Sequence, residues 1–205
     1  MLPGSQSPQR LSSAAPLDVR VQRTHQKLLD ALVVLVSEHG YDAVTVRGLT
    51  ERAGVGYATF FRHFSSKEAL LERLLEDTLA SLLTELELPL QLEPRETGAR
   101  VFRHARDHAD RYRVLLRTAE VTGLPERCAQ LSLELLSQNF APKLGSVVPF
   151  EVAAHHLVYS FIGLISWYLD AKTPPTPERM GEILEQLILE PTYAAALEPV
   201  APKPA

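Results

Sequence analysis

The chain is poor in cysteine and tryptophan, with one of each in 205 residues. The lone thiol, Cys128, excludes an intramolecular disulfide framework and a cysteine-built structural zinc cluster, and it fits a reducing compartment. On an apolar helical segment it reads as a small packed hydrophobe rather than a reactive group. The N-terminal stretch MLPGSQSPQRLSSAAP has no continuous apolar core of the kind a signal peptide needs, so a cytoplasmic protein without membrane association is expected. Val152 to Leu169 carries no formal charge and is close to the lower length limit of a membrane span. It contains His155, His156, Ser160 and Ser166 with charges close by, which reads as a helix covered by protein rather than lipid. A glycine-rich phosphate loop, HExxH, GxSxG and a carboxylate pair in a recognisable setting are all missing, so catalysis and a cofactor are not expected.

What is present describes a globular chain, with 45% hydrophobic and 22% charged residues. The net charge of -4 argues against a protein that coats nucleic acid indiscriminately, but it is unevenly spread. Residues 1–70 carry 8 basic against 6 acidic side chains, and the remainder carries 13 against 19. Within 44–67, Arg47, Arg52, Arg62 and Lys67 face only Glu51. A small basic patch therefore sits on an acidic body.

Proline marks where helices stop or start. None falls between Leu17 and Leu88, whereas later prolines divide the chain into segments of helical length. No run of period-two alternation bounded by turn residues is present, so the fold class is all-α. A first helix is expected from an N-cap at Thr24 through Leu28, Leu32 and Leu35 to His39-Gly40. Thr45 caps a second, Val46 to Ala53, that stops at Gly54. A third runs near Tyr57 to His63. Ser65 and Glu68 offer a capping box for a leucine-rich helix from about Ser66 to Leu88. Further helices are read near 95–109, 110–118, 125–140, 150–171 and 177–190. The domain plan is a flexible tail over 1–19, an N-terminal helical unit over 20–70, a helical body over 71–190 and a flexible tail over 191–205.

The two short helices joined by Ala53-Gly54-Val55-Gly56 form a helix-turn-helix candidate. Leu49, Val55, Phe60 and Phe64 can pack on Leu28, Leu32 and Leu35, leaving Thr45, Arg47, Tyr57, Thr59, Arg62 and His63 accessible to phosphates and base edges. Taken alone, that pattern also describes an ordinary helical hairpin with a solvated face. The longer string LLDALVVLVSEHGYDAVTVRGLTERAGVGYATFFRHFSSKEALLERLL, residues 28–75, resembles the DNA-binding domain of the TetR family of bacterial transcriptional regulators, through HGYDAVTVR, ERAGV and TFFRHFSSKEALL. The resemblance implies that Thr45 and Arg47 contact DNA. It also implies that Gly56, Tyr57, Ala58, Thr59, Phe61, Arg62 and His63 lie at or near the groove, with Lys67 and the amides opening the fourth helix on a phosphate. The sequence departs from the family at Gly56, where serine is common, at Phe61, where tyrosine is common, and at Gly48, where an acidic residue is common. Gly56 removes a capping hydroxyl, Phe61 a phenolic donor, and Gly48 costs the short helix roughly 1 kcal/mol relative to Ala.

The C-terminal body resembles the ligand-binding and dimerisation domains of some members of the family, through VFRHARDHADRYRVLL and GLISWYLDAKTPPTPERMGEILEQLI. A homodimer interface is expected at Ala153, His156, Ser160, Gly163, Ile183 and Leu187. Phe102, Tyr112, His155, Tyr159, Phe161 and Trp167 are candidate ligand contacts, although aromatics at helical spacing are more often plain core. Such a ligand would be an apolar or aromatic small-molecule effector. His104 and His108 have the i,i+4 spacing of two metal ligands, but no third ligand is evident in the sequence and no metal is expected. Arg100, Arg103, Arg106, Arg111, Arg113 and Arg117 interleave with acids and read as a solvated face, with one arginine able to turn inward. The function this implies is a sequence-specific regulator, a ligand-responsive repressor binding a palindromic double-stranded operator. The alternatives are a constitutive DNA-binding dimer or a structural helical protein. Retention on duplex DNA separates the DNA-binding readings from the structural one.

Overall fold

The structure, a computed structural model, describes residues 16–86 and 93–200. Helix α1 spans Pro16–His39 and so begins well before Thr24. Thr24 sits inside it, its hydroxyl donating back to the Arg20 carbonyl at 2.9 Å instead of capping. The earlier start places Pro16 at the first helical position, where its missing amide costs nothing. Helix α2, Val46–Ala53, is capped by Thr45, whose hydroxyl accepts from the Gly48 amide at 3.1 Å. Gly54 closes it in the left-handed region, at φ 62° and ψ 37°. Helix α3 is Tyr57–His63, and α4 is Lys67–Glu85. The α4 cap is Ser66 rather than Ser65, accepting from the Ala69 amide at 3.2 Å. That register puts Glu68 inside the first turn, so the expected reciprocal box does not form.

Helices α5, Pro94–Asp107, α6, Ala109–Arg117, α7, Ala119–Thr122, and α8, Leu124–Asn139, follow, then α9, Phe150–Asp170, and α10, Pro177–Leu184. One π turn, Glu185–Leu189, joins α10 to α11, Glu190–Ala196. Pro191 has no amide to offer the Leu187 carbonyl, and the wider turn accommodates its ring. Two three-residue strands, β1, Phe140–Pro142, and β2, Leu197–Pro199, pair antiparallel with Phe140 opposite Pro199. This small sheet was not expected; strands so short, each ending in proline, carry no alternation to read. Residues 191–199 are thus helix and strand rather than a loose tail. Residues 1–15 and 201–205 of the expected tails, and 87–88 of the expected fourth helix, lie outside the described residues.

Two apolar cores meet along α4. The first gathers Leu28, Leu29 and Leu32 of α1, Leu49 of α2, Phe60 of α3 and Leu70, Leu71, Leu74 and Leu75 of α4 with Val114, Leu115 and Leu124 of the body. The second gathers Leu86, Val101, Phe102, Ala153, Leu157, Ile165, Tyr168 and Met180, with Leu82 packed against it. Helices α5 and α10 approach so closely that a Cβ on Gly181 would overlap the Arg95 carbonyl and lie 2.9 Å from the Ala99 amide nitrogen. Helix α9 is the one helix among the described residues long and apolar enough to cross a membrane. In this fold Ala153, Ala154, Leu157, Val158, Ile165, Tyr168 and Leu169 are buried in protein along it.

Candidate nucleic-acid interface

Phe60 is fully buried and Phe64 nearly so, which fixes the back of α3 against α1 and α4. Period 3.6 then turns Tyr57, Ala58, Phe61 and Arg62 outward, all four exposed. Tyr57 and Phe61 lie edge to face with ring centroids 5.1 Å apart, and Phe61 also meets Phe60 at 5.2 Å. Arg62 donates to the Thr59 hydroxyl at 3.0 Å, which aims the guanidinium along the helix. Gly56, at the N-cap, has no side chain to bind the first amides, and its carbonyl accepts from Thr59 and Phe60 at 2.8 and 3.0 Å. On α2, Arg47 is exposed and pairs with Glu51 at 2.9 Å. An open groove between the two helices is lined by Arg47, Thr50, Glu51, Val55 and Tyr57. These features bring Thr45, Arg47, Tyr57, Ala58, Thr59, Phe61 and Arg62 to one surface of an α2–α3 corner.

Two expected contacts are placed otherwise. His63 turns toward α1, with its Nδ1 3.3 Å from His25 Nε2 and the ring centroids 5.0 Å apart. Burial first, then the neighbouring His63 and Arg73 charges, hold the His25 imidazole below its usual pKa. Lys67 is half-buried, its ammonium donating to the Tyr41 and Val44 carbonyls at 3.2 and 3.1 Å and lying 4.3 Å above the Tyr41 ring. It braces the α1–α2 connection, which leaves one of its three donors for a phosphate. The α4 N-terminus is already visited by the Glu68 carboxylate, which accepts from its own amide, from Ser66 and from Tyr41, and these bonds hold its pKa down. Sequence reasoning missed Arg20 and Arg23, exposed on the extension of α1 just before His25. The proline at 16, tolerated in a first helical turn, was the available signal.

In the body, the proposed ligand contacts do not converge. Phe102 is buried against Phe161 and Tyr168, at 5.7 and 5.2 Å between centroids, and Tyr112 bonds His104 Nδ1 at 3.0 Å. His155, Tyr159 and Trp167 instead face outward, because the buried stripe of α9 runs through Ala154, Leu157, Val158 and Ile165 and leaves them on the opposite side. Tyr159 reaches Glu126 at 3.2 Å. Of the expected interface residues, His156, Gly163 and Leu187 are exposed and Ser160 and Ile183 are half-buried, but Ala153 is consumed by the protomer's own core. The inward arginine is Arg113, which donates to the Leu169 carbonyl at 2.8 Å and so satisfies the end of α9. Its neighbours form surface pairs, Arg100 with Glu96 and Arg103 with Glu178 among them.

Known proteins repeat this arrangement. The family model for bacterial regulatory proteins of the tetR family matches residues 28–74. An uncharacterised HTH-type transcriptional regulator, YxbF of Bacillus subtilis, is 23% identical over 88% of this chain, and the chain spans about half of that relative's length, 48%. A TetR transcriptional regulator from Streptococcus agalactiae superposes with a TM-score of 0.65 at 23% identity, covering 84% of this chain and 97% of that one. AibR, solved with isovaleryl coenzyme A and operator DNA, superposes at 0.53 with 17% identity, covering 80% and 98%. The family-model match, the shared fold and the exposed α2–α3 face agree that residues 28–74 form a helix-turn-helix domain similar to those of the TetR family of bacterial regulatory proteins, on a helical body with the fold of such regulators.

Proposed function

We propose that the chain works as a homodimer that grips a two-fold symmetric operator with one α3 in each half-site, represses there, and lets go when a small molecule binds the body. The observation that carries the DNA half is the α3 surface. Tyr57, Ala58, Phe61 and Arg62 stand clear of the protein while Phe60 and Phe64 hold their backbone rigid. Such a helix presents donors, an aromatic edge and a methyl to a major groove.

The dimer half rests on α9. Val152, His156, Tyr159, Gly163 and Trp167 form an exposed stripe at helical spacing, and a Cβ on Gly163 would meet nothing within 4 Å. Leu187 adds a large exposed apolar side chain from the α10–α11 segment. A second copy would cover this stripe and set two α3 helices roughly 34 to 36 Å apart, or somewhat more, to match successive half-sites.

The effector half rests on α4, whose start abuts α3 and whose end enters the second core at Leu82 and Leu86. AibR shows a protein of this fold solved with both a small ligand and operator DNA. For the present chain, an apolar or aromatic effector would have to part the packed rings of the second core, Phe102 from Phe161 and Tyr168.

Sedimentation and fluorescence anisotropy of wild type and Trp167→Glu on a duplex carrying the selected operator test the reading together. A dimeric wild type that binds, and a folded monomeric variant that binds at least tenfold more weakly, are expected. A wild type that sediments as a monomer at micromolar concentration contradicts the dimer. Unchanged binding by the monomeric variant contradicts the symmetric grip.

A further inference from the structure

The two histidines with ligand spacing acquire a third partner in the fold. One donor atom each from Glu85, His104 and His108 lie within 4.8 Å of one another, although Glu85 is nineteen residues before His104 in sequence. Around a tetrahedral ion with bonds of about 2.0 to 2.2 Å, donor atoms stand roughly 3.4 Å apart. Closing on an ion requires the three donors to draw together and His104 to release one of its two hydroxyl partners.

The setting is built for a metal rather than merely crowded. His104 is 1% exposed, His108 half-buried and Glu85 exposed, so an ion would sit at the edge of the body with a position left for water. His104 Nδ1 is 3.0 Å from the Tyr112 hydroxyl and Nε2 is 3.0 Å from the Ser81 hydroxyl. Ser81 precedes Glu85 by one turn and Tyr112 follows His108 by one turn, so one hydroxyl flanks each nitrogen of the His104 ring beside a second ligand. When one ring nitrogen of His104 takes the ion, the hydroxyl on the other side is in place to hold the remaining N–H and fix the ring. Two imidazoles with one carboxylate suit zinc, cobalt, nickel or copper, whereas magnesium and calcium prefer an all-oxygen shell.

We propose that Glu85, His104 and His108 form a site for a divalent transition-metal ion, with Ser81 and Tyr112 as positioning residues, that ties the far end of α4 to the α5–α6 junction. The ion would then bias the helix that begins beside α3. This regulatory consequence rests on the DNA-binding reading above; the site itself does not.

The chain, stripped with chelator, is titrated with Co(II) and then Zn(II). Visible d–d absorption saturating at one Co(II) per chain and bleached by Zn(II) is expected, with Mg(II) silent. Glu85→Gln and His108→Ala change partly or fully accessible side chains and should keep the wild-type circular dichroism while weakening Co(II) by at least tenfold. Ser81→Ala should weaken it less. No saturating absorption, or equal affinity in both ligand variants, overturns the site; the latter would move the ion elsewhere, for instance to His25 and His63. Zn(II) should shift duplex affinity by 5-fold or more in wild type and not in Glu85→Gln, within the usual range of about 5- to 150-fold for such coupling. Metal bound without that shift overturns the coupling and leaves the site standing. A chain that fails to bind any duplex defeats the DNA reading while the Co(II) titration still decides the site.

Discussion

The two ends of α4 lie in different surroundings. Around its N-terminal half the first core is closed to solvent, since Leu28, Leu29, Leu32, Leu49, Phe60, Leu70, Leu71, Leu74 and Leu75 are all essentially inaccessible. Around its far end only Phe102, Met180 and His104 among the described large side chains reach that level, and one of the three is polar. The second region also exposes Val152, Tyr159, Trp167 and Leu187. The helix-turn-helix region thus closes its core within one chain, whereas the body leaves large apolar side chains exposed. A recognition surface must hold its side chains in place before DNA arrives, whereas a region that receives a second subunit or an effector needs an open face and more than one arrangement.

That contrast can be broken most forcefully from the first core. Phe60→Ala removes its largest side chain and should cost about 3 to 5 kcal/mol, with duplex binding lost alongside stability in denaturant titration. Because Val114, Leu115 and Leu124 of the body share that core, the loss should appear as one transition rather than as a separately melting helix-turn-helix. In the body, Gly181→Ala forces a methyl between α5 and α10 and should cost roughly 1 to 3 kcal/mol while leaving the face of α3 untouched. Equal stability would show that those helices can part.

On the DNA face itself, Tyr57→Ala should erode discrimination between operator and random duplex by about 1 to 3 kcal/mol if the ring reaches a base edge. Lys67→Ala should weaken every duplex alike, since it loosens the Tyr41–Val44 connection as well as any phosphate contact. If Lys67→Ala proves the more discriminating of the two, the roles are reversed. The smallest effect concerns pH. His25 has a folded-state pKa below its unfolded value of about 6.5, so the stability it contributes is present above that value and is lost as pH falls through the folded pKa. Melting temperature should therefore fall as pH drops below about 6.5, and His25→Gln should flatten that fall. An identical profile in the variant would assign it to other groups.

The difference between the regions also governs how much could be read beforehand. In the first seventy residues Thr45, Gly54 and the spacing of Leu28, Leu32, Leu49 and Phe60 each act locally, and they placed α2, α3 and their shared core correctly. The misreadings there were also local in kind. Thr24 is a good cap residue whose hydroxyl found a carbonyl one turn back, and Ser65 stands beside the serine that does the capping. The turn of His63 toward His25 and of Lys67 toward two carbonyls depends on how helices distant in sequence meet, which spacing does not encode. In the body the helices themselves were legible from proline positions and periodicity. Which faces they share was not, because it depends on Gly98 and Gly181 permitting close approach, on Arg113 reaching Leu169, and on β1 finding β2 across more than fifty residues.

In the proposed function the α2–α3 corner reads duplex DNA as one half of a symmetric pair. Selection of bound sites from a random duplex pool by the chain tests this most directly. The account predicts an enriched inverted repeat with half-sites about one helical turn or somewhat more apart, and loss of that enrichment with Tyr57→Ala. An enriched sequence without two-fold symmetry, or no enrichment over the starting pool, would contradict it.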